Sequence, residues 1–158
     1  MANAADLSAA HDHDRCIEDA LRAAAGVCAE RGTRLTELRR RVLELVWSDH
    51  VAVKAYDLLA RLGPGAKPPT VYRALDFLVA NGLVHRIESM NAFIGCPSPD
   101  QAHQGKFLIC DDCGTIAEID QPDLGRIIAE HAAAVGFAPE RQTVEVHGRC
   151  QNCAAGAA

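Results

Sequence analysis

The sequence predicts an α+β fold in two parts. Before residue 80, apolar residues recur at helical spacing. Residues 83–96 then alternate as in two strands of a hairpin, and the chain after residue 106 carries short strands, one helix and two Cys-x-x-Cys pairs. With 158 residues the chain is long enough for two small domains that share a linker.

Charge is distributed unequally between these two parts. Residues 31–86 carry ten Lys or Arg against five Asp or Glu, a balance of +5, whereas residues 91–158 carry four against nine, a balance of −5. The net charge of −5 for the whole chain therefore hides a basic front half. Such a surface favours contact with phosphates, and the acidic second part predicts a different role.

Three helices are predicted in the first 62 residues, after a disordered tail over residues 1–14. The first covers residues 16–30, and Cys28 is predicted to be a core residue on its apolar face. The second is capped by Thr36, and its apolar stripe consists of Leu38, Val42, Leu45 and Val46. The third covers residues 54–62 and stops at Gly63-Pro64-Gly65.

The stretch KPPTVYRALDFLVANGLVHRIES predicts a fourth helix followed by a β-strand. Pro68 and Pro69 suit a helix start, and Asn81-Gly82 suits its end. Its buried stripe is predicted to be Val71, Leu75, Leu78 and Val79. Short helices followed by a hairpin, LVHRIE and AFIGC, are the elements of a winged helix-turn-helix, predicted over residues 15–94.

A turn-rich segment, residues 95–106, is predicted to be a hinge before a small α/β domain over residues 107–158. In that domain FLICDDCGTIAEI predicts two strands joined by a tight turn, residues 123–135 a helix, and QTVEVHGRC a further strand. No apolar run is long enough to span a bilayer and the start lacks signal-peptide features, so we expect a cytoplasmic protein without membrane association.

Four cysteines in two Cys-x-x-Cys pairs indicate a structural zinc site: Cys110, Cys113, Cys150 and Cys153. Thiolates on two turns are the usual way in which a tetrahedral zinc site is assembled, and thiols stay reduced in the cytoplasm. The alternatives are cysteines without a ligand role and a redox pair. The redox alternative is disfavoured because we expect neither pair to follow a strand and open a helix in a thioredoxin-like βαβ setting.

A second set of potential ligands is scattered along the chain: His85, Cys96, His103 and Glu118. Spacing alone makes this a weak cluster, and ordinary polar side chains remain the competing interpretation. Two imidazoles, one thiolate and one carboxylate would nevertheless suit tetrahedral zinc.

The segment PPTVYRALDFLVANGLVHRIES, together with RLTELRRRVL, AYDLL and HGRCQNC, resembles the ferric uptake regulator family of bacterial metal-responsive repressors, in detail its zinc-responsive branch. The resemblance implies that the four paired cysteines hold structural zinc. It also implies that His85, Cys96, His103 and Glu118 hold regulatory zinc, giving two zinc ions per chain. A homodimer that binds palindromic double-stranded operator DNA and represses zinc-uptake genes is the implied function, with residues 107–158 as the dimerisation domain.

The candidate DNA-contacting residues lie on or near the predicted helices. Arg73 is expected to read guanine, with Tyr56 as a second base or backbone contact. Lys67, Arg39 and Arg40 are expected to contact phosphates. The other candidates on the fourth helix lie away from its buried stripe: Thr70, Tyr72 and Asp76.

Two other functions fit the sequence less well. An enzyme is not expected, because both four-ligand sets are closed and no H-x-E with a following P-C-x-x-C is present. An iron, manganese or peroxide sensor of the same family remains the alternative, and Cys96 argues against it because a thiolate favours zinc. A third metal site is disfavoured, since Gln104, Gly105 and Lys106 stand where many relatives carry a histidine and an acid.

Overall fold

The computed structural model describes residues 13–49, 51–100, 103, 105–119 and 121–156. These residues form two compact units, an N-terminal unit up to residue 100 and a C-terminal unit from His103 onward. Together they confirm the predicted α+β class. Of the predicted disordered tail, residues 1–14, the first twelve lie outside the described residues. The last two, His13 and Asp14, belong to the first helix.

The N-terminal unit contains four helices and a three-stranded sheet. The helices are α1 (His13–Glu30), α2 (Glu37–Trp47), α3 (Ala55–Leu62) and α4 (Pro68–Ala80). The strands are β1 (Val53–Lys54), β2 (Val84–Ile87) and β3 (Ala92–Gly95), in the order β1-β3-β2. This is the predicted winged helix-turn-helix, except that β1, a two-residue strand paired with β3, was not predicted.

A single apolar core holds the four helices and the hairpin together. Leu43, Leu58, Leu75 and Leu78 are fully buried within it, and Cys28 is a core residue as predicted. On α4 the predicted stripe is right except for Val79, which is 38% exposed; Ala74 is buried in its place. The residues of α4 that are buried are those on the face that packs against α2.

The end of α4 is fixed by a Schellman motif. Gly82 has φ +69°, its N–H donates to the Val79 carbonyl, and the Leu83 N–H donates to the Leu78 carbonyl. Asn81 adds a side-chain hydrogen bond to the Phe77 carbonyl at 2.8 Å. The predicted end of the helix at Asn81-Gly82 is therefore confirmed. By contrast, Thr36 occupies the N-cap position of α2 but its side chain makes no capping bond.

The C-terminal unit contains a second three-stranded sheet and two helices. Its elements are β4 (Lys106–Cys110), β5 (Ile116–Glu118), α5 (Pro122–Ala134), β6 (Val144–Gly148) and α6 (Gln151–Ala155). The central strand β4 pairs antiparallel with β5 and parallel with β6. The predicted strands and helix are confirmed, whereas the short helix α6 was not predicted.

The predicted hinge, residues 95–106, falls between β3 and β4, and three of its residues, 101, 102 and 104, lie outside the described part. Within the described residues, no helix combines the length and apolar character that crossing a membrane requires.

Candidate metal centres and nucleic-acid interface

The four paired cysteines come together in the C-terminal unit. The parallel pairing of β4 with β6 sets Cys110 opposite Gly148, and the Asp111 N–H donates to the Gly148 carbonyl at 2.8 Å. This pairing brings the turn after β4 beside the start of α6. As a result the Sγ atoms of all four cysteines lie within 4.8 Å of one another: Cys110, Cys113, Cys150 and Cys153.

The geometry of this cluster fits a tetrahedral zinc ion. Zinc–sulfur bonds of about 2.3 Å place the sulfurs of a regular tetrahedron about 3.8 Å apart. The Sγ atoms of Cys113 and Cys150 are 3.8 Å apart. A set of four sulfur ligands also closes the coordination sphere, which is typical of a structural rather than a catalytic zinc site.

The second cysteine pair differs from the prediction in its local structure. Cys150 is the N-cap residue of α6 and Cys153 lies within that helix, rather than on a turn. This pair therefore follows a strand and opens a helix, but in the described residues no strand follows α6, so the thioredoxin-like βαβ setting of a redox pair is not formed. The cluster also disfavours a redox pair, because the sulfur atoms of all four cysteines converge on one point.

Hydrogen bonds prepare two of the four sulfurs for ionisation. The backbone N–H of Cys150, which donates to the Cys110 sulfur at 3.3 Å, is the main cause that lowers the pKa of Cys110 from 9.0 to about 6. The Thr115 hydroxyl, 3.1 Å from the Cys113 sulfur, lowers the pKa of Cys113. Hydrogen bonding to the neighbouring sulfurs of Cys150 and Cys113 raises the pKa of Cys153 to about 12. A cation is needed before all four are thiolates together.

A hydrogen bond and an ion pair join the β4 turn to the end of β6, around the cysteines. Asp111 Oδ1 lies 2.9 Å from His147 Nδ1, and Asp112 Oδ2 accepts from Arg149 Nε at 2.6 Å. None of these four residues is among the predicted site residues. Their only signal was proximity to the cysteines in the chain, and pairing across 36 or 37 residues has no periodic signature.

The other candidate ligands fall into two pairs, one in each unit. In the N-terminal unit His85 lies opposite Ile94, and the Cys96 N–H donates to the Leu83 carbonyl at 3.1 Å. Because side chains alternate along a strand, His85 and Cys96 share one face of the hairpin. Their potential ligand atoms lie within 4.8 Å of each other.

The corresponding pair in the C-terminal unit is His103 and Glu118. His103 Nε2 is 2.8 Å from Glu118 Oε1, and the two side chains are 28% and 15% exposed. Glu118 is the last residue of β5 and pairs with Phe107 of β4, which fixes its backbone position. Each unit thus supplies one imidazole and one anionic group, a donor set suited to half of a tetrahedral zinc site.

The exposed face of α4 and the neighbouring end of α3 carry most of the predicted DNA contacts. Tyr56 is 79% and Tyr72 49% exposed. Three further candidates are exposed on or just before α4: Lys67, Thr70 and Arg73. In the described part of the chain, neither Lys67 nor Arg73 takes part in an ion pair, so both charges are available for phosphates or bases.

Unlike Lys67 and Arg73, the arginines of α2 make contacts within the N-terminal unit. The guanidinium of Arg39 stacks on Phe77 of α4, 3.5 Å from the ring centre, and donates to the Arg34 carbonyl. Arg40 and Arg41 both pair with Glu44, at 3.3 and 3.0 Å. These contacts give Arg39 a packing role and leave Arg40 partly neutralised, and the phosphate contacts of both residues stay predictions.

Comparison with known proteins gives a consistent result. The sequence profile of the ferric uptake regulator family matches residues 30–147. The zinc uptake regulation protein of Escherichia coli K12 is 43% identical over 140 residues, which make up 86% of this chain and 82% of that protein.

Two solved structures resemble the chain in both sequence and fold. A zinc uptake regulator complexed with zinc and DNA superimposes with a TM-score of 0.85 at 41% identity, covering 89% of this chain and 97% of that one. The crystal structure of holo XcZur gives 0.81 at 48% identity, covering 85% and 96%. The chain belongs to the ferric uptake regulator family.

Proposed function

We propose that this chain is a zinc-responsive transcriptional repressor whose zinc-loaded homodimer binds a palindromic operator and represses genes of zinc uptake. One observation carries the proposal most directly: the candidate sensing ligands are divided equally between the two units. His85 and Cys96 lie on the hairpin of the winged helix, whereas His103 and Glu118 lie beside the second sheet. A metal bound by both pairs makes the state of the DNA-binding unit depend on zinc.

Two zinc ions per chain follow from the two donor sets. The four-cysteine cluster holds a structural ion that stabilises a unit with a small sheet and an unburied helix. The second ion closes the two pairs into one site of two imidazoles, one thiolate and one carboxylate. These four ligands fill the coordination sphere, so no catalytic role is proposed for either ion.

The energy needed for such a switch is within reach of a four-ligand zinc site. Shifting a two-state equilibrium from 1:99 to 99:1 takes about 5.5 kcal/mol of differential affinity. Structural zinc sites in small domains supply roughly 10–16 kcal/mol of binding free energy at neutral pH. The switch therefore requires only part of the zinc-binding free energy, provided that this part is gained only in the conformation that binds DNA.

Homodimerisation is supported by the apolar surface of the C-terminal unit. No residue of α5, all of which the structure describes, is buried, and Ile127 is 44% exposed on it. On the sheet, Leu108 and Val146 lie opposite each other in register and are 46% and 49% exposed. A second copy would bury these side chains, which a monomer leaves in water.

Sequence reading is assigned to α4, the recognition helix. Arg73, exposed on α4, would read guanine, while Lys67 at the N-terminus of α4 would contact phosphate without reading sequence. Tyr56, Thr70 and Tyr72 complete the surface. In a two-fold dimer the two recognition helices would enter major grooves about 34 Å apart.

Zinc is favoured over iron or manganese as the signal because of Cys96. Its side chain is only 2% exposed, and it is the thiolate of the sensing set. Thiolate ligands favour zinc, and beside redox-active iron a thiolate is liable to oxidation. The metal in the complex of the 41% identical relative is also zinc.

The test is the zinc content per chain together with operator binding, in protein purified under reducing conditions. We expect about two zinc ions, one of them removed by a mild chelator with loss of DNA binding. His103→Ala should retain one zinc and lose zinc-dependent binding. Glu140→Ala changes an exposed residue between α5 and β6 that lies outside both ligand sets, so this control should behave as wild type. DNA binding unaffected by removing the exchangeable zinc would refute the proposal.

A further inference from the structure

A tryptophan ring rests directly on the backbone beside a candidate zinc ligand. Trp47 is the last residue of α2, and Gly95 is the last residue of β3. A Cβ atom built on Gly95 would lie 2.2 Å from Cε2 and 2.3 Å from Nε1 of the indole. Such distances are far below van der Waals contact, so only glycine permits the ring to lie where it does.

The residue after this contact is Cys96, one of the two candidate ligands on the hairpin. Its N–H is held by the Leu83 carbonyl at 3.1 Å, and its side chain is almost completely buried. The end of β3 is therefore held by β2 along one edge and by the indole over one face. The position of the Cys96 sulfur relative to His85 depends on both restraints.

Through Trp47 the hairpin is connected to the helix that supports α4. Val42 and Val46 of α2 lie in the same buried core as Leu75 and Leu78 of α4. The C-terminal end of α2 thus contacts Gly95, the residue before Cys96, and the buried face of α2 packs in the same core as α4.

We propose that Trp47 is a positioning residue for the sensing pair: its indole holds the end of β3 so that Cys96 meets the metal together with His85. The proposal rests on the zinc-sensing function proposed above. Partners outside the ligand set that orient metal ligands typically contribute 10–100-fold to metal affinity. Trp47 would act in this way by packing rather than by a hydrogen bond to the ligand.

The experiment measures zinc affinity at the exchangeable site by competition with a chromophoric chelator, on full-length protein with the four-cysteine zinc in place. Trp47→Ala removes the ring and should weaken this affinity at least tenfold. Trp47→Phe keeps an aromatic ring over Gly95 and should restore most of it. In all variants the non-exchanging zinc should stay at about one per chain, which reports an intact C-terminal unit.

A matched control separates positioning from loss of stability. Val27 of α1 is buried in the same core but lies outside the hairpin, so Val27→Ala should lower the melting temperature and leave zinc affinity unchanged. The inference is wrong if Trp47→Ala binds zinc as wild type does, or if Val27→Ala weakens zinc binding equally. A wild-type protein without exchangeable zinc would overturn the sensing site itself, and this inference with it.

Discussion

The guanidinium of Arg39 lies 3.5 Å from the ring centre of Phe77, so a charge carried by α2 is stacked against the recognition helix. Its Nη1 also donates to the Arg34 carbonyl at 2.6 Å. In both contacts the partner of the Arg39 guanidinium is another residue of the N-terminal unit. We therefore expect Arg39 to support the position of α4 rather than to contact phosphate.

Arg39→Ala should weaken operator binding without changing its salt dependence. The stacking contributes about 0.5–1 kcal/mol, and its loss loosens α4 without removing a phosphate contact. Lys67→Ala should instead reduce the slope of log K against log salt by about 1. Titrations at several salt concentrations distinguish the two. A reduction of the slope by Arg39→Ala equal to that of Lys67→Ala would show that Arg39 contacts phosphate after all.

The helices and the hairpin could be predicted because their signals are local and repeated. The stripe on α4 and the turn at Asn81-Gly82 each follow from a few neighbouring residues. Strand β1 has only two residues and exists because Val53 pairs with Phe93, which is a tertiary contact. Helix α6 is likewise too short to show a period.

In the candidate sites, too, local features could be predicted from the sequence and long-range contacts could not. Paired cysteines three positions apart are a local signal, so the four-cysteine cluster was predicted in full. The pairing of Asp112 with Arg149, and the indole of Trp47 over Gly95, join distant parts of the chain. Neither contact follows from residue type or spacing, because each depends on how elements pack.

Arg73→Ala should relax base preference. A bidentate contact with guanine is worth about 1–3 kcal/mol of discrimination, so the ratio of operator to non-specific affinity should fall by roughly one to two orders of magnitude. Lys67→Ala should weaken binding to both DNAs alike and leave the ratio unchanged. Competition binding with operator and scrambled duplexes gives this ratio. Equal effects of the two substitutions on it would refute the assigned roles.

Cys113 should react faster than Cys153 in metal-free, reduced protein. Its side chain is exposed and its pKa is lowered by the Thr115 hydroxyl, which increases the thiolate fraction near neutral pH. Cys153, with its pKa raised to about 12, stays a thiol in that range and should react slowly. Alkylation by iodoacetamide followed by mass spectrometry measures both.

The control for this prediction is Thr115→Val, which removes the hydroxyl at nearly constant volume. It should raise the pKa of Cys113 and slow its alkylation at neutral pH, while bound zinc should protect Cys113 in both proteins. If Cys153 reacts before Cys113, the assignment of thiolate and thiol within the cluster is wrong.

Leu108→Asp should convert the homodimer to a monomer. The side chain is 46% exposed and faces Val146 across the β4–β6 pair, so a carboxylate there stays hydrated in the monomer and costs little folding stability. In a dimer the same carboxylate would be buried against the second copy without a partner, which is strongly unfavourable. Leu108→Met, of similar volume and polarity, is the control and should remain dimeric. Sedimentation velocity at micromolar concentration measures the mass, and circular dichroism confirms that the fold is kept. A dimer that persists in a folded Leu108→Asp protein would place the interface elsewhere on the C-terminal unit.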